Sequence, residues 1–377
     1  MAIDVSGAGL DPHGLWLGRV ARYGIGPCVV TIRDGEVFEI TSRTVPTVRD
    51  VLEMADPADY VRHARGVRVG DLGDLGSRLP MLAPCDLQII KACGVTFARS
   101  LVERVIDERS GGDAALAEDL RSRIGAAIGQ SLEGIAPGSP AAARAKKALI
   151  SEGLWSQYLE VGIGPQAEVF TKAPVLSAIG HGGAVGVHPQ SEWNNPEPEL
   201  VLAINSRGDV LGASMGNDVN LRDVEGRSAL LLGHAKDNNA ACAIGPMIRL
   251  FDGAFTLEDV TDLTLKLEIE GRDGYRLETD ALMREISRRP ADLAAQALDI
   301  HHPSPDGLML FLGTPFAPTQ DRGAIGKGFT HMSGDIVRIS CPALGSLENE
   351  VLPTDQCPPF RMGIGAFMRN LAARELI

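Results

Sequence analysis

The sequence lacks several features that define large classes of protein. Its six cysteines form no CxxC pair, which argues against a zinc ribbon or a thioredoxin motif and favours buried free thiols in a reducing cytosol. Basic residues are outnumbered by acidic ones, 36 against 49, and the net charge of −13 argues against nucleic-acid binding and against a polybasic membrane surface. No apolar run reaches the roughly 18 residues of a membrane span, and the N-terminus resembles no signal peptide. We therefore expect a cytoplasmic protein.

Aromatic residues are also scarce, at 5% of the chain, although 44% of the residues are hydrophobic and 23% are charged. These proportions are typical of a folded globular protein whose core is built mainly from valine, leucine, isoleucine and alanine. At roughly 100–200 residues per domain, the 377 residues allow two or three domains.

The order of β-rich and helical segments predicts an α+β fold with two domains. Residues 1–85 form the smaller domain, in which short strands alternate with glycine, proline and aspartate turns and a helix follows near Thr47–Met54. Residues 86–377 form the larger domain, which opens with a strand at Asp86–Ala92 and ends with a helix within Phe360–Ile377. The predicted N-terminal strands are Leu15–Val20, Cys28–Ile32 and Glu36–Ile40.

Residues 98–160 stand apart as a helical stretch inside the larger domain. Apolar residues recur three and four positions apart, as in Leu116 and Leu120, which predicts two or three amphipathic helices. Gly111–Gly112 and the segment Pro137–Pro140 are expected to break them. Either these helices pack as a plain hairpin or they form a lid over a site, and the sequence leaves both alternatives open.

Three carboxylates are expected to converge on one hairpin. Glu197 and Glu199 are two apart on a strand, so their side chains project from the same face. A turn centred on Arg207–Gly208 places Gly216 opposite Glu199 and Asp218 opposite Glu197. Opposed side chains share a face with roughly 4.5–5.5 Å between their Cβ atoms. The carboxylates then meet where these strands offer no basic residue, and Gly216 leaves room for a bound group.

Such a cluster of like charges favours a bound divalent cation, because the charges repel one another and are costly to bury alone. Oxygen ligands without cysteine or histidine favour Mg²⁺, Mn²⁺ or Ca²⁺ over zinc, and three ligands leave coordination positions for water and substrate. The alternative interpretation is an exposed acidic rim on the hairpin, which requires no ion.

Five ordered blocks of the sequence resemble the fumarylacetoacetate hydrolase family. The blocks are NPEPELVLAIN, MGNDVNLRDVE, HAKDNNAACAIGP, LFLGTPF and MSGDIVRISCPALGSLENEV. The resemblance implies a mixed β-sandwich-roll catalytic domain, a small N-terminal domain, a helical insertion at 98–160, and a homodimer or homotetramer. It also implies that Glu197, Glu199 and Asp218 hold Mg²⁺ or Mn²⁺, and that this ion binds a small 2-oxo acid through its carboxylate and 2-oxo oxygens.

The same resemblance assigns further residues to the site. Lys236 matches a family lysine beside the metal, where it would act as an acid or a base. His234 is expected to pack near the site rather than to ligate. The positions that match substrate-binding or supporting residues are Lys172, Arg222, Glu225, Gly313 and Thr314.

One departure from the family pattern bears on the reaction. Hydrolytic members carry a histidine and a glutamate at the mouth of the site, where the pair activates water; here Glu103 matches the glutamate, but Ser100 stands at the histidine position. A serine hydroxyl is a poor general base at neutral pH. The chain therefore most resembles the dehydratases of 2-keto-3-deoxy sugar acids, which convert 2-keto-3-deoxy-D-xylonate, the same compound as the D-arabinonate derivative, to 2,5-dioxopentanoate in non-phosphorylative pentose catabolism.

In that reaction Lys236 or Glu103 would remove a proton from C3, the ion would stabilise the enolate, and Ser100 or a water would relay a proton to the leaving 4-hydroxyl. Three alternatives remain open at this stage. They are a C–C hydrolase of acylpyruvates or diketo acids, a decarboxylase or tautomerase of a small oxo-diacid such as oxaloacetate, and a non-catalytic metal-binding relative.

Overall fold

Two β-sheets, of eleven and five strands, dominate the part of the chain that the structure describes, and a short two-stranded ribbon accompanies them. The structure is a computed structural model that describes residues 7–111, 113–121, 134–151, 153, 155–323 and 328–377. Gly112, one of the two glycines expected to break the helical stretch, lies outside the described residues.

The larger sheet takes its strands from residues 16–311, and the helices lie between strands and near the C-terminus. Its strands are Trp16–Arg22, Gly26–Arg33, Glu36–Glu39, Val67–Asp71, Met81–Leu82, Ile89–Gly94, Glu168–Ala173, Pro198–Ile204, Val210–Asp218, Cys242–Leu250 and Leu308–Phe311. The smaller sheet consists of Ala184–Val187, Thr264–Glu270, Arg276–Leu282, Ile336–Cys341 and Gly345–Pro353, and the ribbon of Asn194–Asn195 and Asn220–Leu221. The α-helices are Val48–Leu52, Pro57–His63, Ala98–Ser110, 114–121, Pro140–Ser151, Gln157–Ile163, Arg222–Glu225, Leu232–Lys236, Leu257–Val260, Pro290–Ala297 and Ile364–Ala373, with 3₁₀ turns at Gly7–Gly9, Leu72–Asp74, Ala229–Leu231 and Met283–Glu285.

Both large sheets are mixed, as the resemblance implies. Most neighbouring strands are antiparallel, but Leu308–Phe311 runs parallel to Ile89–Gly94 in the larger sheet. The strand Trp16–Arg22 pairs with Cys242–Leu250, so the N-terminal strands continue the sheet of the larger predicted domain. The division of the chain at residue 85 stays a prediction.

Several local predictions need correction. The strand expected from Asp86 begins only at Ile89. The Asp86 carboxylate instead accepts hydrogen bonds from the backbone N–H groups of Val48 and Arg49, at 2.7 and 3.1 Å, at the start of the helix Val48–Leu52. The stretch 98–160 contains four described helical segments instead of two or three.

The predicted free thiols are confirmed, since all six cysteines are buried and unpaired. Among the described helices, none combines the length with the apolar character that a bilayer crossing demands.

The two faces of the strand Pro198–Ile204 pack against different layers. Leu200 and Leu202 face the smaller sheet and belong to the main hydrophobic core, whereas Val201 and Ala203 belong to a second core that includes the N-terminal helices. Strand side chains alternate between faces, so the odd-numbered Glu197 and Glu199 project from the same face as Val201.

The register predicted for the carboxylate hairpin, the paired strands Pro198–Ile204 and Val210–Asp218, is confirmed. Glu199 lies opposite Gly216 and Val201 opposite Ser214. The predicted two-residue turn is wrong, because a bulge at Ile204 widens the connection to a loop closed by hydrogen bonds between Asn205 and Asp209. The bulge compensates for the longer loop, so the strand pairing next to the carboxylates keeps the predicted register.

Gly216 provides no space for a bound group, contrary to the prediction. A Cβ atom built at this position would lie 2.2 Å from the Phe311 ring and 2.8 Å from a Val201 methyl group. The missing side chain therefore lets Phe311 pack directly beneath the hairpin, and the bound group must lie elsewhere.

Replacing Gly216 with alanine should lower the free energy of unfolding by about 1–3 kcal/mol, because the added methyl group overpacks a core that cannot move away. Thermal unfolding followed by circular dichroism measures the change. Gly233→Ala is the matched control: Gly233 is exposed in a short helix, and a Cβ atom placed there would have no neighbour within 4 Å, so alanine should not lower the melting temperature. Equal melting temperatures for Gly216→Ala and the wild type would contradict the packing argument.

Candidate metal centre and active site

The structure brings the carboxylates of Glu197, Glu199 and Asp218 together. Each offers one oxygen atom, and these atoms all lie within 4.8 Å of one another. The three residues are at most 2% exposed, so the alternative of an exposed acidic rim is wrong. The hairpin register explains the convergence, since the backbone N–H of Asp218 donates to the carbonyl of Glu197 at 3.1 Å.

Two cations hold Glu197 in its ionised form. Lys236 Nζ donates to one carboxylate oxygen at 2.5 Å, and the Arg104 guanidinium donates to the other. Burial opposes ionisation, but the charges of Lys236 and Arg104 outweigh it and lower the pKa of Glu197 to about 2. Glu197 is therefore a permanent negative charge in the interior.

Glu199 has no such cation in direct contact among the described residues, and its pKa is raised well above the usual value. Burial is the main cause, and the charges of Asp218 and Glu197 add to it. Its carboxylate accepts a hydrogen bond from the backbone N–H of Gly313 at 2.7 Å. The structure thus places Gly313 behind a carboxylate, and its substrate-binding role stays a prediction.

Asp218 lies between two lysines. Lys172 Nζ is 2.7 Å from one of its oxygens, and Lys236 Nζ is 3.1 Å from the other. Lys172 is fully buried and also donates to the carbonyl groups of Val219 and Lys236, so it lies behind Asp218 and fixes its position. Burial favours the neutral form of Lys236, but Asp218 and Glu197 outweigh it and raise the pKa of the Lys236 ammonium.

The charges around this cluster fit a divalent cation. The site contains five carboxyl groups, which are the three of the cluster and two neighbours: Glu197, Glu199, Asp218, Glu168 and Glu225. Three of the described cations pair with members of this set: Arg104, Lys172 and Lys236. Five acids less three cations leave an excess of two negative charges when every group is ionised. This excess adds to the effect of burial in raising the pKa of Glu199, and the donor set of oxygens alone suits Mg²⁺, Mn²⁺ or Ca²⁺.

A cavity of about 20 Å³ lies among these carboxylates. Such a volume accommodates about one water-sized particle, so it suits an ion and excludes an organic substrate. Glu168 and Glu225 line this cavity together with the three carboxylates of the cluster. Burial, reinforced by the charge of Glu225, raises the pKa of Glu168 to about 7.

A larger chamber of about 220 Å³ adjoins the ion-sized cavity, and the two share Arg104 and Thr314 in their walls. Its volume is below the roughly 300–1,000 Å³ of drug-sized pockets, which indicates a small ligand. Thr314 donates to the carbonyl of Phe316 at 2.7 Å, and this bond shapes the loop that forms one wall.

Glu103 and Arg222 also line the chamber. Arg222 is buried, pairs with Asp107 at 2.6 Å, and has its guanidinium 4.3 Å from the centre of the Trp193 ring. Glu103 pairs with Arg121 at 2.7 Å, and although burial opposes the effect, Arg121 and Arg222 lower the pKa of Glu103. Glu103 is therefore held ionised and lies outside the cavity that Lys236 lines.

The remaining predicted residues lie as follows. Glu225 lines the ion-sized cavity and accepts from Arg104 at 2.6 Å. His234 is exposed and bonds to Gln190 at 2.7 Å on the surface. The backbone of Ser100 lies in the helix Ala98–Ser110, but its side chain lies outside the described residues.

Sequence reasoning missed Arg104 and Glu168. Arg104 occupies a position between the buried Leu101 and Val105, and an arginine inside an apolar helical stripe is a signal for a paired interior cation. Glu168 lies on the same strand as Lys172, four residues earlier, and the proximity of the two in the sequence is the signal that could have placed it near the site.

Comparison with known proteins identifies a matching family and several relatives. The model of the fumarylacetoacetate hydrolase C-terminal domain matches residues 155–352. A 2-dehydro-3-deoxy-D-arabinonate dehydratase of Saccharolobus solfataricus is 35% identical over 182 residues, which cover 48% of this chain and 57% of the relative. A probable 2-keto-3-deoxyxylonate dehydratase of Haloferax volcanii is 34% identical over 197 residues, which cover 52% of this chain and 63% of the relative. The matched segments thus span about three fifths of these relatives.

Solved structures share the fold at lower identity. A 2-keto-3-deoxy-D-arabinonate dehydratase complexed with magnesium and 2,5-dioxopentanoate superposes with a TM-score of 0.61 at 21% identity, covering 89% of this chain and 98% of that one. A fumarylacetoacetate hydrolase from Exiguobacterium antarcticum gives 0.56 at 15% identity, covering 90% and 99%. The fold, the buried acidic cluster and the match over more than half of the chain lead to one conclusion: this protein belongs to the fumarylacetoacetate hydrolase family.

Proposed function

We propose that this protein is a magnesium-dependent hydro-lyase that dehydrates a 2-keto-3-deoxy pentonate to 2,5-dioxopentanoate. The observation that carries the proposal is the buried cluster of Glu197, Glu199 and Asp218 beside Lys236, with a small polar chamber next to it. The two curated relatives are both named as dehydratases of 2-keto-3-deoxy pentonates, which supports this reaction over others of the family.

Glu197, Glu199 and Asp218 are the residues that would hold the ion. Magnesium bound there supplies a Lewis acid for the substrate's 2-oxo group and a positive charge that favours the neutral amine of Lys236. Arg104 keeps Glu197 ionised, and Lys172 fixes the position of Asp218. The substrate's carbon chain extends into the chamber, because the cavity beside the carboxylates is too small for it.

Lys236 is the residue we assign to removal of the C3 proton. Its Nζ lines the ion-sized cavity and lies next to Asp218 and Glu197, so it would lie beside the 2-oxo end of a bound acid, to which C3 is attached. Glu103 fits this role less well, since it lies in the neighbouring chamber and Arg121 and Arg222 engage its carboxylate. An ionised carboxylate in such pairs serves better as a hydrogen-bond acceptor for a hydroxyl group.

Glu168 is the residue we assign as the source of the proton for the leaving 4-hydroxyl, with a water relaying the proton from the ion-sized cavity to the chamber. Burial raises the pKa of Glu168 to about 7, which favours a protonated carboxyl group that can act as a general acid. The proton from C3 passes to Lys236, the C4–O bond breaks, and the proton from Glu168 completes the departing water. The resulting enone alcohol becomes the aldehyde when C5 and its hydroxyl each lose one hydrogen and C3 and C4 each gain one.

The reaction itself is tested with purified protein, magnesium and synthetic 2-keto-3-deoxy-D-xylonate. We expect 2,5-dioxopentanoate, detected through its aldehyde by a coupled dehydrogenase or by mass spectrometry. Acylpyruvates and oxaloacetate serve as competing substrates. Pyruvate from an acylpyruvate would favour the C–C hydrolase, and carbon dioxide from oxaloacetate the decarboxylase; either result without dehydration would overturn the proposal.

Lys236→Met should abolish turnover while the protein still binds magnesium, because methionine keeps the length of the side chain and removes the amine. Turnover is measured by the dehydratase assay, and magnesium binding by the rise in melting temperature. Lys146→Met provides the control, since Lys146 lies on the insertion surface and pairs there with Glu160. A near-wild-type rate for Lys236→Met would remove this lysine from the mechanism.

Glu199→Gln should remove the thermal stabilisation by magnesium and abolish activity. In wild-type protein, magnesium at 100 times its Kd stabilises the fold by about 2.7 kcal/mol. With a chelator present, the melting temperature of Glu199→Gln should equal or exceed that of the wild type. The glutamine side chain can still accept the hydrogen bond from Gly313, and the substitution removes a buried carboxylate whose pKa is raised. The exposed Glu192→Gln is the control, and a magnesium-dependent rise retained in Glu199→Gln would refute the ligand assignment.

Glu168→Gln should lower kcat by about 10²–10⁴-fold, the usual worth of a general acid. Magnesium should still raise the melting temperature, since Glu168 belongs to the cavity wall and not to the three-carboxylate cluster. Glu278→Gln, an exposed change on the smaller sheet, controls for the loss of a negative charge. Equal kcat values for Glu168→Gln and the wild type would show that another group supplies the proton.

A further inference from the structure

The chamber next to the metal centre has an unusual wall for a pocket of its size. Glu103, Asp107, Arg121 and Arg222 line one side of it as alternating carboxylates and guanidinium groups, and Thr314 and Thr319 lie on the loop that forms the other side. Arg121 belongs to the helical residues 114–121, Glu103 and Asp107 to the helix Ala98–Ser110, and Arg222 to the helix Arg222–Glu225, so three segments supply this wall.

Resting on the proposed function, we infer that Arg121 is a specificity-determining residue that selects 2-oxo acids with hydroxyl groups at C4 and C5. Arg121 and Glu103 form the part of the chamber that binds the hydroxylated end of the substrate. The carboxylate and 2-oxo end lies at the metal centre, and the far end of a five-carbon acid reaches the ion-paired wall.

Arg121 has N–H donors that no described residue accepts from. Its Nε and Nη2 donate to the two oxygens of Glu103 at 2.8 and 2.7 Å, and its Nη1 donates to Glu118. A guanidinium has five N–H donors, so three engaged donors leave two for a ligand. The side chain is 24% exposed and lines the chamber, which makes those donors accessible.

Glu103 supplies the complementary acceptor. Its carboxylate is 17% exposed, and the paired oxygens retain lone pairs for a further hydrogen bond. A hydroxyl group both donates and accepts, so vicinal hydroxyls at C4 and C5 match a wall that offers guanidinium donors beside carboxylate acceptors.

An alkyl or aryl end would bind poorly in this chamber. It would displace water from the exposed edges of the Arg121–Glu103 pair and return no hydrogen bond, which costs free energy for each polar group left unpaired. The chamber therefore rejects the acyl end of an acylpyruvate by the same chemistry that accepts a diol.

The experiment compares two ligands of equal chain length in wild-type protein, in Arg121→Met and in Arg109→Met. The substrate 2-keto-3-deoxy-D-xylonate carries both hydroxyls, and 2-oxopentanoate, used as a competitive inhibitor, carries neither. Arg109 is the matched control, because it is an arginine of the same helical stretch whose side chain donates to the carbonyl of Gly153 away from the chamber.

We expect Arg121→Met to raise the KM for the hydroxylated substrate about tenfold and to change the inhibition constant of 2-oxopentanoate by less than twofold. Arg109→Met should change neither. A purely structural role of Arg121 would weaken both ligands together, and that result, or no change in either, overturns the inference. Arg121→Gln, with its melting temperature checked first, replaces Arg121→Met if the latter does not fold.

Failure of the proposed function gives a different result from failure of this inference. If the wild type converts no 2-keto-3-deoxy pentonate, the dehydratase proposal fails. Calorimetric binding of the same two acids to the magnesium-loaded protein then tests the chamber directly. Tighter binding of the hydroxylated acid that is lost in Arg121→Met supports the role of Arg121, and equal binding of the two acids refutes it.

Discussion

The site depends on the repulsion between buried carboxylates that the main chain forces together. Backbone pairing fixes Glu197, Glu199 and Asp218 on one face of a hairpin, so none of them can withdraw without breaking the sheet. The surrounding cations, Arg104, Lys172 and Lys236, compensate only part of the charge. The uncompensated part adds to burial in raising the pKa of Glu199, and it favours a hard cation at this position.

Local features of this arrangement could be predicted from the sequence, because they follow from strand geometry. The two-residue spacing of Glu197 and Glu199 and the register that places Asp218 beside them need no knowledge of distant segments. The register held even though the turn was misassigned, since the bulge at Ile204 lies beyond the functional end of the hairpin. Motif resemblance then identified Lys236, which the structure places within the cluster.

Long-range features escaped because their signals are weak in a single sequence. Arg104 reaches Glu197 across 93 positions of the chain, and nothing near either residue indicates the pairing. The role of Gly216 was also misjudged, because the strand that brings Phe311 beneath it lies almost a hundred residues later. In both cases packing between segments, and not local propensity, decides what fills the available space.

The hydrogen bond from Gly313 to Glu199 requires glycine at position 313 because of the space and backbone conformation there, and not because of the donor group itself. Any residue except proline has a backbone N–H, so the interaction alone would tolerate nearly every substitution. The backbone here has a φ of 93°, and a Cβ atom would lie 2.0 Å from the Thr96 hydroxyl oxygen, so an L-residue with a side chain does not fit. Because glycine has only a hydrogen atom in place of a side chain, it keeps the backbone N–H directed at the Glu199 carboxylate. Every substitution at position 313 is therefore expected to disturb this contact.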